Sequence, residues 1–195
     1  MIDKQFILAS QSPRRRDYLS QLGYQFVCES ADIDETVIAN EPAIDYVARL
    51  SVEKAQCIAN QHVDTTIVLG ADTCVVVGDE ILGKPIDMQD CIRQLSLLSD
   101  TTHQVFTAVS VVCGSKVLTR IVRVDVTFKA LTEAEIVNYW QTGEPCDKAG
   151  AYGIQGIAGH FVKHINGSYS AIVGLPLFET SEILQEFGVL TALQQ

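Results

Sequence analysis

Three consecutive arginines, Arg14, Arg15 and Arg16, follow Ser12 and Pro13 near the start of the chain. A short apolar run precedes them, so the pattern predicts a strand, a loop and a helix with Ser12 as N-cap and Pro13 in the first position. The start of a helix is already positive, so each cation there costs a few tenths to about 1 kcal/mol. The arginines either form a solvated surface cluster or bind an anion, for which phosphate is the natural candidate.

Lys54 occupies an apolar position in a second predicted helix. On a wheel of about 100° per residue, it falls between Leu50 and Val47 in the apolar stripe of a helix expected over residues 41–61. Its side chain either extends past the core to water or turns inward. An inward ammonium needs an anion at its tip, which a ligand phosphate or a carboxylate of the site would supply.

Asp72 follows the apolar run 67–71, which predicts a buried strand that ends at this residue. Ligands of α/β proteins gather at such strand ends, where an acid can bind a divalent cation or accept a proton from water. An aspartate that caps a turn is the alternative. Glu35, among loop acids, is a second candidate metal ligand unless it is merely solvent-exposed. Lys84 precedes Pro85, which favours an extended backbone and an outward side chain.

Gly150, Gly153, Gly156 and Gly159 recur at every third position. This spacing allows the backbone to approach other groups closely, a ligand among them. Gln155 lies within the run, and its amide can both donate and accept hydrogen bonds at the edge of a nucleobase. Most glutamines have no such role, so an ordinary surface position is the alternative.

Strands, helices and hairpins alternate along the chain. The predicted elements are strands at 6–9, 67–71, 74–77, 81–82, 103–113 and 116–128, helices at 13–22, 41–61, 87–98 and 132–140, an extended glycine-rich region at 150–174 and a last helix after Pro176. Thr132 and Glu135 have the spacing of a capping box. This order predicts an α/β fold with one central mixed sheet, flanking helices and a cleft.

The composition limits the class of protein. The 195 residues suffice for one domain or two intimately shared lobes, and 47% apolar with 19% charged residues is typical of a globular chain. The net charge of −10 repels nucleic acid and anionic membranes, so neither is expected as a partner. Six scattered cysteines without a secretory leader favour the cytoplasm. The apolar runs are strand-sized, so no membrane span is predicted.

Several longer motifs follow one another over nearly the whole chain. They are Ser10-Gln11-Ser12-Pro13-Arg14-Arg15, Lys54, Gly70-Ala71-Asp72-Thr73, Gly83-Lys84-Pro85, Asp147-Lys148-Ala149-Gly150-Ala151-Tyr152-Gly153-Ile154-Gln155-Gly156, Asn166-Gly167-Ser168-Tyr169 and Val173-Gly174-Leu175-Pro176. Together they closely resemble the Maf family of nucleoside triphosphate pyrophosphatases.

The resemblance implies an inosine triphosphatase-like fold, with one domain over residues 1–195 and a deep cleft between two lobes. It implies hydrolysis of a nucleoside triphosphate to the monophosphate and pyrophosphate, with a divalent cation such as Mg²⁺ or Mn²⁺ as cofactor. Arg14, Thr73 and Gln155 match the branch that acts on dTTP and UTP, whereas the branch that acts on 7-methyl-GTP carries other residues there. The resemblance also implies a homodimer and an association with septum formation.

The residues and the resemblance combine into one hypothesis for the site. The triphosphate is expected to bind to Ser10, Arg14, Arg15, Lys54 and Lys84. Asp72 and Glu35 are expected to hold the metal, and water activated by Asp72 or by the metal attacks the α-phosphorus. Asp72 is a base, a metal ligand or both. Gln155 is expected to pair with a carbonyl and the N3–H of uracil or thymine.

Two other classes of function are open at this point. A nucleotide-binding regulator would need the same basic residues but would not need Asp72. A structural partner in cell division would act through a surface that is independent of these residues. Release of pyrophosphate in the presence of a metal separates the enzyme from both. The physiological nucleotide is either a canonical one or a modified uridine triphosphate.

Overall fold

The strands predicted at 6–9, 81–82, 103–113 and 116–128 begin and end within one residue of those positions, whereas the strand at 27–29 was not predicted and two other regions differ as described below. The computed structural model describes residues 5–194, and the seven strands in this range are β1 (Phe6–Ala9), β2 (Val27–Glu29), β3 (Ile67–Val77), β4 (Glu80–Leu82), β5 (Thr102–Cys113), β6 (Lys116–Phe128) and β7 (Val162–Asn166). The α-helices of the same range are α1 (Pro13–Gln21), α2 (Ala43–Ala59), α3 (Met88–Leu98), α4 (Glu133–Gln141), α5 (Tyr169–Val173) and α6 (Leu177–Gln185). Short 3₁₀ helices cover Glu144–Asp147, Ala149–Ala151 and Ile157–Phe161.

The strands form one mixed sheet. Its order is β2-β1-β3-β5-β6-β7, and β4 pairs with β3 beside this path. β1 is parallel to both β2 and β3, whereas β4 is antiparallel to β3 and β7 is antiparallel to β6. The predicted α/β class, with a central mixed sheet and flanking helices, is therefore confirmed.

One predicted strand end is wrong. β3 does not stop at Asp72 but continues to Val77, so the two strands expected at 67–71 and 74–77 are a single strand. The second half of β3 is rich in valine, which favours extended backbone. Asp72 can lie inside a buried strand because its charge has a partner there, as the site shows below.

Contacts among residues 5–194 divide the chain into two compact units. The first extends to Asp72 and also contains Thr107–Val122 and the segment from Gly174 onwards. The second contains Thr73–Phe106 and Arg123–Val173. Because the prediction of two lobes with a deep cleft concerns the arrangement of such units, it stays a prediction.

The core of the first unit joins α2 to three neighbouring strands. Ala55 and Ile58 of α2 pack with Ile7 of β1, Val68 of β3 and Val112 of β5, and all five side chains are buried. Apolar residues at helical spacing on α2 thus meet apolar residues of the sheet. This contact fixes the helix that carries Lys54 against the strand that carries Asp72.

The core of the second unit contains an aromatic cluster. The ring of Phe128 lies edge-on to His103 and to Tyr152, with centroid distances of 4.9 and 4.8 Å. Phe161 packs against Phe128 and against Tyr139 of α4. These edge-to-face contacts add to the stability gained by burying the rings.

The helix ends follow their predicted capping residues with one difference. α1 begins at Pro13 with Ser12 in the N-cap position, but the Ser12 side chain makes no capping hydrogen bond. The capping box of Thr132 and Glu135 is present at the start of α4. Among the helices of residues 5–194, none combines the length and the apolar character needed to cross a membrane.

The glycine-rich region was expected to be extended over residues 150–174, and this is wrong for most of its length. It contains the end of one 3₁₀ helix, a second 3₁₀ helix, β7 and α5. Gly150 has a φ of +69°, a left-handed conformation that favours glycine. The glycines therefore serve turns between short elements rather than one long strand.

Candidate active site

α2 directs Lys54 into the protein. The buried face of this helix consists of Val47, Leu50, Ser51, Lys54, Ala55 and Ile58. Lys54 is only 9% exposed. Of the two alternatives for this lysine, the structure has the inward one.

Gly70 of β3 allows α2 to lie unusually close to the strand. A Cβ atom at this position would be 2.3 Å from the carbonyl oxygen of Ser51 and 2.7 Å from the backbone nitrogen of Ala55. Both are backbone atoms, so a side chain could be accommodated only if the helix moved. Gly70 and Asp72 are two residues apart in one strand and project from the same face, which is the face that α2 covers.

Lys54 and Asp72 form a buried ion pair. The Lys54 Nζ donates a hydrogen bond of 2.7 Å to Oδ1 of Asp72. Asp72 is 7% exposed. A carboxylate of the site, one of the two anions expected for an inward ammonium, therefore lies at the tip of Lys54.

Glu35 contacts the same ammonium. Its Oε1 lies 2.7 Å from the Lys54 Nζ, and about half of the Glu35 side chain is exposed. Glu35 belongs to the loop between β2 and α2, which also follows the carboxyl end of a strand parallel to β1. The two carboxylates proposed as metal ligands thus converge on one point, which in the structure is held by Lys54.

Arg15 and Ser10 are also linked to each other in the first unit. The Arg15 Nε donates to the carbonyl oxygen of Gly174 at 2.8 Å, and its NH1 donates to the Ser10 Oγ at 3.2 Å. Burial lowers the pKa of Arg15, and the negative charge of Asp72 partly opposes this effect. Arg15 is therefore a partly desolvated cation near Asp72, held by a backbone carbonyl and a hydroxyl.

The other two arginines of α1 differ from each other. Arg14 is partly buried and lies close enough to Arg15 for its charge to lower the pKa of Arg15. Arg16 is exposed and pairs with the exposed Asp17 at 3.6 Å. The solvated-surface alternative therefore describes Arg16, whereas Arg14 and Arg15 are both partly buried and Arg15 lies near Asp72.

The environment of Asp72 makes it more basic than an ordinary aspartate. Burial raises the pKa of Asp72, and this outweighs the opposing effects of the Lys54 and Arg15 charges. A carboxylate that binds protons more readily than usual suits the role of general base.

The remaining predicted site residues belong to the second unit. Thr73 is the residue after Asp72 in β3 and is partly buried. Lys84 is exposed in the loop that follows β4. Gln155 is exposed in a turn before the 3₁₀ helix Ile157–Phe161. Their roles in one site with Asp72 stay predictions.

The donor set at Asp72 fits a hard divalent cation. Two carboxylates directed at one point are what a protein commonly supplies to Mg²⁺, with phosphate oxygens and water as the other ligands. No cluster of three or more His, Cys, Asp or Glu side chains that could hold a metal occurs within residues 5–194. Asp72 and Glu35, which converge on the Lys54 ammonium, are the residues of this site that could hold such a cation together with a phosphate ligand.

The sequence motifs contained Gly70, but its positioning role was not predicted. A glycine within a strand pattern is a general signal for close backbone approach, and that signal was present in Gly70. The sequence did not indicate which element approaches Gly70, because Ser51 and Ala55 lie on α2, 19 and 15 residues earlier in the chain.

Comparison with known proteins places this geometry in a family. The family described as "Maf-like protein" matches residues 5–187. A dTTP/UTP pyrophosphatase of Colwellia psychrerythraea is 55% identical over 194 residues, which cover 97% of this chain and 92% of that protein. Those of Vibrio parahaemolyticus and Hahella chejuensis are 54% and 53% identical, over 93% and 95% of this chain and 96% and 94% of theirs. Since the family match covers most of its length and these relatives are more than 50% identical, the chain belongs to the Maf family.

Proposed function

We propose that the protein is a hydrolase that converts nucleoside triphosphates, dTTP and UTP in particular, to the monophosphate and pyrophosphate. The observation that carries this proposal is the buried Lys54–Asp72 pair with Glu35 and Arg15 beside it. The relatives named dTTP/UTP pyrophosphatase, which match over nearly the whole chain, support the choice of substrate. Such activity would remove selected nucleotides from the cellular pool.

In the proposed mechanism, the residues of the first unit stabilise charge and prepare water. Arg14, Arg15 and Ser10 bind phosphate oxygens, for which the guanidinium fork is well suited. Asp72 accepts the proton of the water molecule that attacks the α-phosphorus, and the electrons of the broken bond leave with pyrophosphate. Most of the catalysis comes from positioning and from charge stabilisation, as is general for phosphoryl transfer.

Lys54 has two tasks in this proposal. In the structure it forms ion pairs with both Asp72 and Glu35, and it is a cation next to the place expected for the phosphates. Asp72 and Glu35 would hold a divalent cation such as Mg²⁺ or Mn²⁺, which when bound neutralises phosphate oxygens and lowers the pKa of water. Lys84 of the second unit is proposed to bind the leaving phosphates.

Base selection is proposed to depend on Arg14, Thr73 and Gln155. The Gln155 amide can accept from the N3–H of uracil or thymine and donate to a neighbouring carbonyl. Gln155 is exposed. The hydrogen bonds described for residues 5–194 include none from its side chain that would have to break before the amide could contact a base.

Further properties of the protein are proposed from the sequence. The resemblance favours a homodimer, the cysteines favour the cytoplasm, and the net charge of −10 disfavours nucleic acid and anionic membranes as partners. A role in septum formation, or nucleotide binding without turnover, would be the alternative function. The buried base-like Asp72 favours turnover, because a binding protein gains nothing from a desolvated carboxylate beside phosphate.

The decisive experiment measures pyrophosphate release from a panel of canonical and modified nucleotides, with and without Mg²⁺ or Mn²⁺. We expect dTTP and UTP to be preferred, turnover to disappear after chelation, and Asp72→Asn to lower kcat by about 10²–10⁴-fold because the general base is lost. Asp64→Asn, at an exposed loop position, is the control and should retain wild-type kcat. Near-normal turnover by Asp72→Asn would remove Asp72 from the reaction, and the absence of hydrolysis of every nucleotide would refute the proposed function.

A further inference from the structure

Gln155 occupies a corner of a β-turn in the second unit. The turn spans residues 153–156 and is closed by a hydrogen bond of 3.0 Å from the Gly156 N–H to the Gly153 carbonyl oxygen. Ile154 and Gln155 are its central residues. A surface turn moves easily unless other groups hold it, so the groups that bind its ends decide how accurately Gln155 is placed.

Two side chains hold both ends of this turn. The Tyr139 hydroxyl accepts a hydrogen bond of 3.3 Å from the Gly153 N–H and donates one of 2.8 Å to the Glu144 Oε1. The Glu144 carboxylate also accepts from the N–H groups of Ile157 at 2.9 Å and Ala158 at 3.3 Å. The linked pair Tyr139–Glu144 therefore binds the backbone just before and just after the corner residues.

The packing around this turn leaves no space for a side chain at two glycines. A Cβ atom on Gly156 would lie 2.3 Å from a carboxylate oxygen of Glu144, and one on Gly159 would lie 2.6 Å from the carbonyl oxygen of Ile154. The regular glycine spacing thus serves close approach to protein groups at these two positions. The turn and the carboxylate consequently fix each other.

The protonation states of the pair are well defined. Burial alone would raise the pKa of Glu144, but the hydrogen bonds from Ile157, Tyr139 and Ala158 lower it below its usual range. Burial, followed by the bond to Glu144, raises the pKa of Tyr139. Tyr139 therefore stays a donor and Glu144 an ionised acceptor at neutral pH.

We propose that Tyr139 and Glu144 are positioning residues for base selection, which act by fixing the turn that presents Gln155 to the nucleotide. This inference rests on the proposed function, in which Gln155 recognises uracil or thymine. A fixed turn leaves a fixed distance between the Gln155 amide and the base, which suits a pyrimidine. A loosened turn can shift to admit a purine, while Asp72 and its partners in the first unit keep their arrangement.

Tyr139→Phe is the test variant, because it removes the hydroxyl and keeps the ring that packs on Phe161. The measurement is the ratio of kcat/KM for UTP over ATP. We expect this ratio to fall by about fivefold, as loss of two linked hydrogen bonds allows. The kcat for UTP should change less than the ratio does.

Tyr152→Phe is the matched control. Its hydroxyl is also buried and bonds to His103 at 2.9 Å, but makes no bond to the turn among the contacts described for residues 5–194. Both variants lose one buried hydroxyl, so similar losses of Tm are expected. Only Tyr139→Phe should alter the UTP to ATP ratio.

Glu144→Gln and Gln155→Ala complete the set. Glu144→Gln keeps the shape of the side chain but places an amide before two N–H donors, so the ratio should fall by about tenfold. Gln155→Ala removes the amide itself, so its UTP to ATP ratio gives the largest loss of selectivity that a loosened turn could cause. A wild-type protein without nucleotide hydrolysis refutes the proposed function. A selective wild type with unchanged ratios in both Tyr139→Phe and Glu144→Gln, at a lowered Tm, overturns only the present inference. If Gln155→Ala keeps full selectivity, the route through Gln155 is wrong.

Discussion

At the scale of single residues, the central feature is a pair of opposite charges that burial makes interdependent. Lys54 and Asp72 are each less than 10% exposed and are joined by a 2.7 Å hydrogen bond. Desolvating two ions is expensive, and removal of one leaves the other buried without compensation. The pair therefore ties the electrostatics of the site to the stability of the first unit.

Lys54→Met should lower the free energy of unfolding by about 3–5 kcal/mol at neutral pH, because it leaves the Asp72 charge buried without its closest partner. Urea denaturation measures the change. Adding Asp72→Asn to Lys54→Met should recover a large part of the loss, since the uncompensated charge is then gone. A double variant that is as unstable as the sum of both single variants would show that the two residues act independently.

Arg93→Met is the control for this prediction. Arg93 of α3 pairs with Glu80, and about half of each of these two side chains is exposed. Surface ion pairs contribute about 0–1 kcal/mol, so its loss should be much smaller than that of Lys54→Met.

Lys54 also shows which properties of a single residue could be predicted from the sequence. Helical spacing was sufficient to place Lys54 in the apolar stripe of its helix, between Leu50 and Val47, but it left open whether the side chain extends to water or turns inward. The anion at its tip was left as a phosphate or a carboxylate. Asp72 lies 18 residues further along the chain, and no local pattern states that α2 packs on that part of β3.

At the scale of elements, the contact between α2 and β3 depends on Gly70, which has no side chain. The backbone of α2 lies against Gly70, and Lys54 follows Ser51 by one turn of the helix. The position of Lys54 relative to Asp72 is consequently set by how closely helix and strand approach. Glycine weakens a strand locally, and at Gly70 the close packing of α2 compensates for this loss of stability.

Gly70→Ala should destabilise the protein by about 2–3 kcal/mol, because the new methyl group overlaps two backbone atoms of α2. The kcat should fall as well, since the helix can yield only by carrying Lys54 away from Asp72. Thermal unfolding and steady-state kinetics provide the two readouts.

The comparison is Gly83→Ala, where a Cβ would meet no atom within 4 Å. This substitution should leave stability unchanged or raise it by about 0.4–1 kcal/mol, because it restricts only the unfolded chain. Equal losses for both variants would mean that contact with α2 is not the cause.

Elements with strong local patterns were predictable, and others were not. β6 begins and ends as its alternating pattern indicates, and the capping box locates the start of α4. β3 was predicted to break at Asp72, because a charged residue normally ends a buried strand unless a partner is present. The short helices between residues 149 and 173 depend on hydrogen bonds with distant groups such as Glu144, which local pattern cannot reveal.

At the scale of the whole molecule, stability should depend on acidity through a buried histidine. His103 is 1% exposed, and its Nε2 is hydrogen-bonded to the Tyr152 hydroxyl. Burial lowers the pKa of His103 to about 4. The folded protein therefore keeps this ring neutral in a range where the unfolded chain, with an ordinary value of about 6.5, already binds a proton.

The difference between these two pKa values determines how the free energy of unfolding changes with pH. The stabilising contribution of neutral His103 is present above pH 6.5 and is lost as the pH falls toward about 4. Between pH 7.5 and pH 5, the free energy of unfolding should decrease by about 2 kcal/mol from this group. Urea denaturation at the two pH values measures the decrease.

His103→Gln should remove most of this pH dependence, because glutamine can still bond to Tyr152 but does not titrate. His164→Gln, at an exposed position of β7, should leave the dependence as in the wild type. A His103→Gln protein with the full wild-type loss at pH 5 would assign the effect to other groups.

The uninterrupted course of β3 has a consequence for how this chain can vary in length. Gly70 faces α2, whereas Val75 faces Gly150, whose added Cβ would lie 2.8 Å from the valine side chain. Since successive strand residues point to opposite sides, the odd interval between these two positions is obligatory. Insertion or deletion of one residue between them would reverse one side relative to the other, so that either the carboxylate of position 72 would turn away from its lysine or Val75 would no longer face Gly150, and viable length changes there should come in pairs.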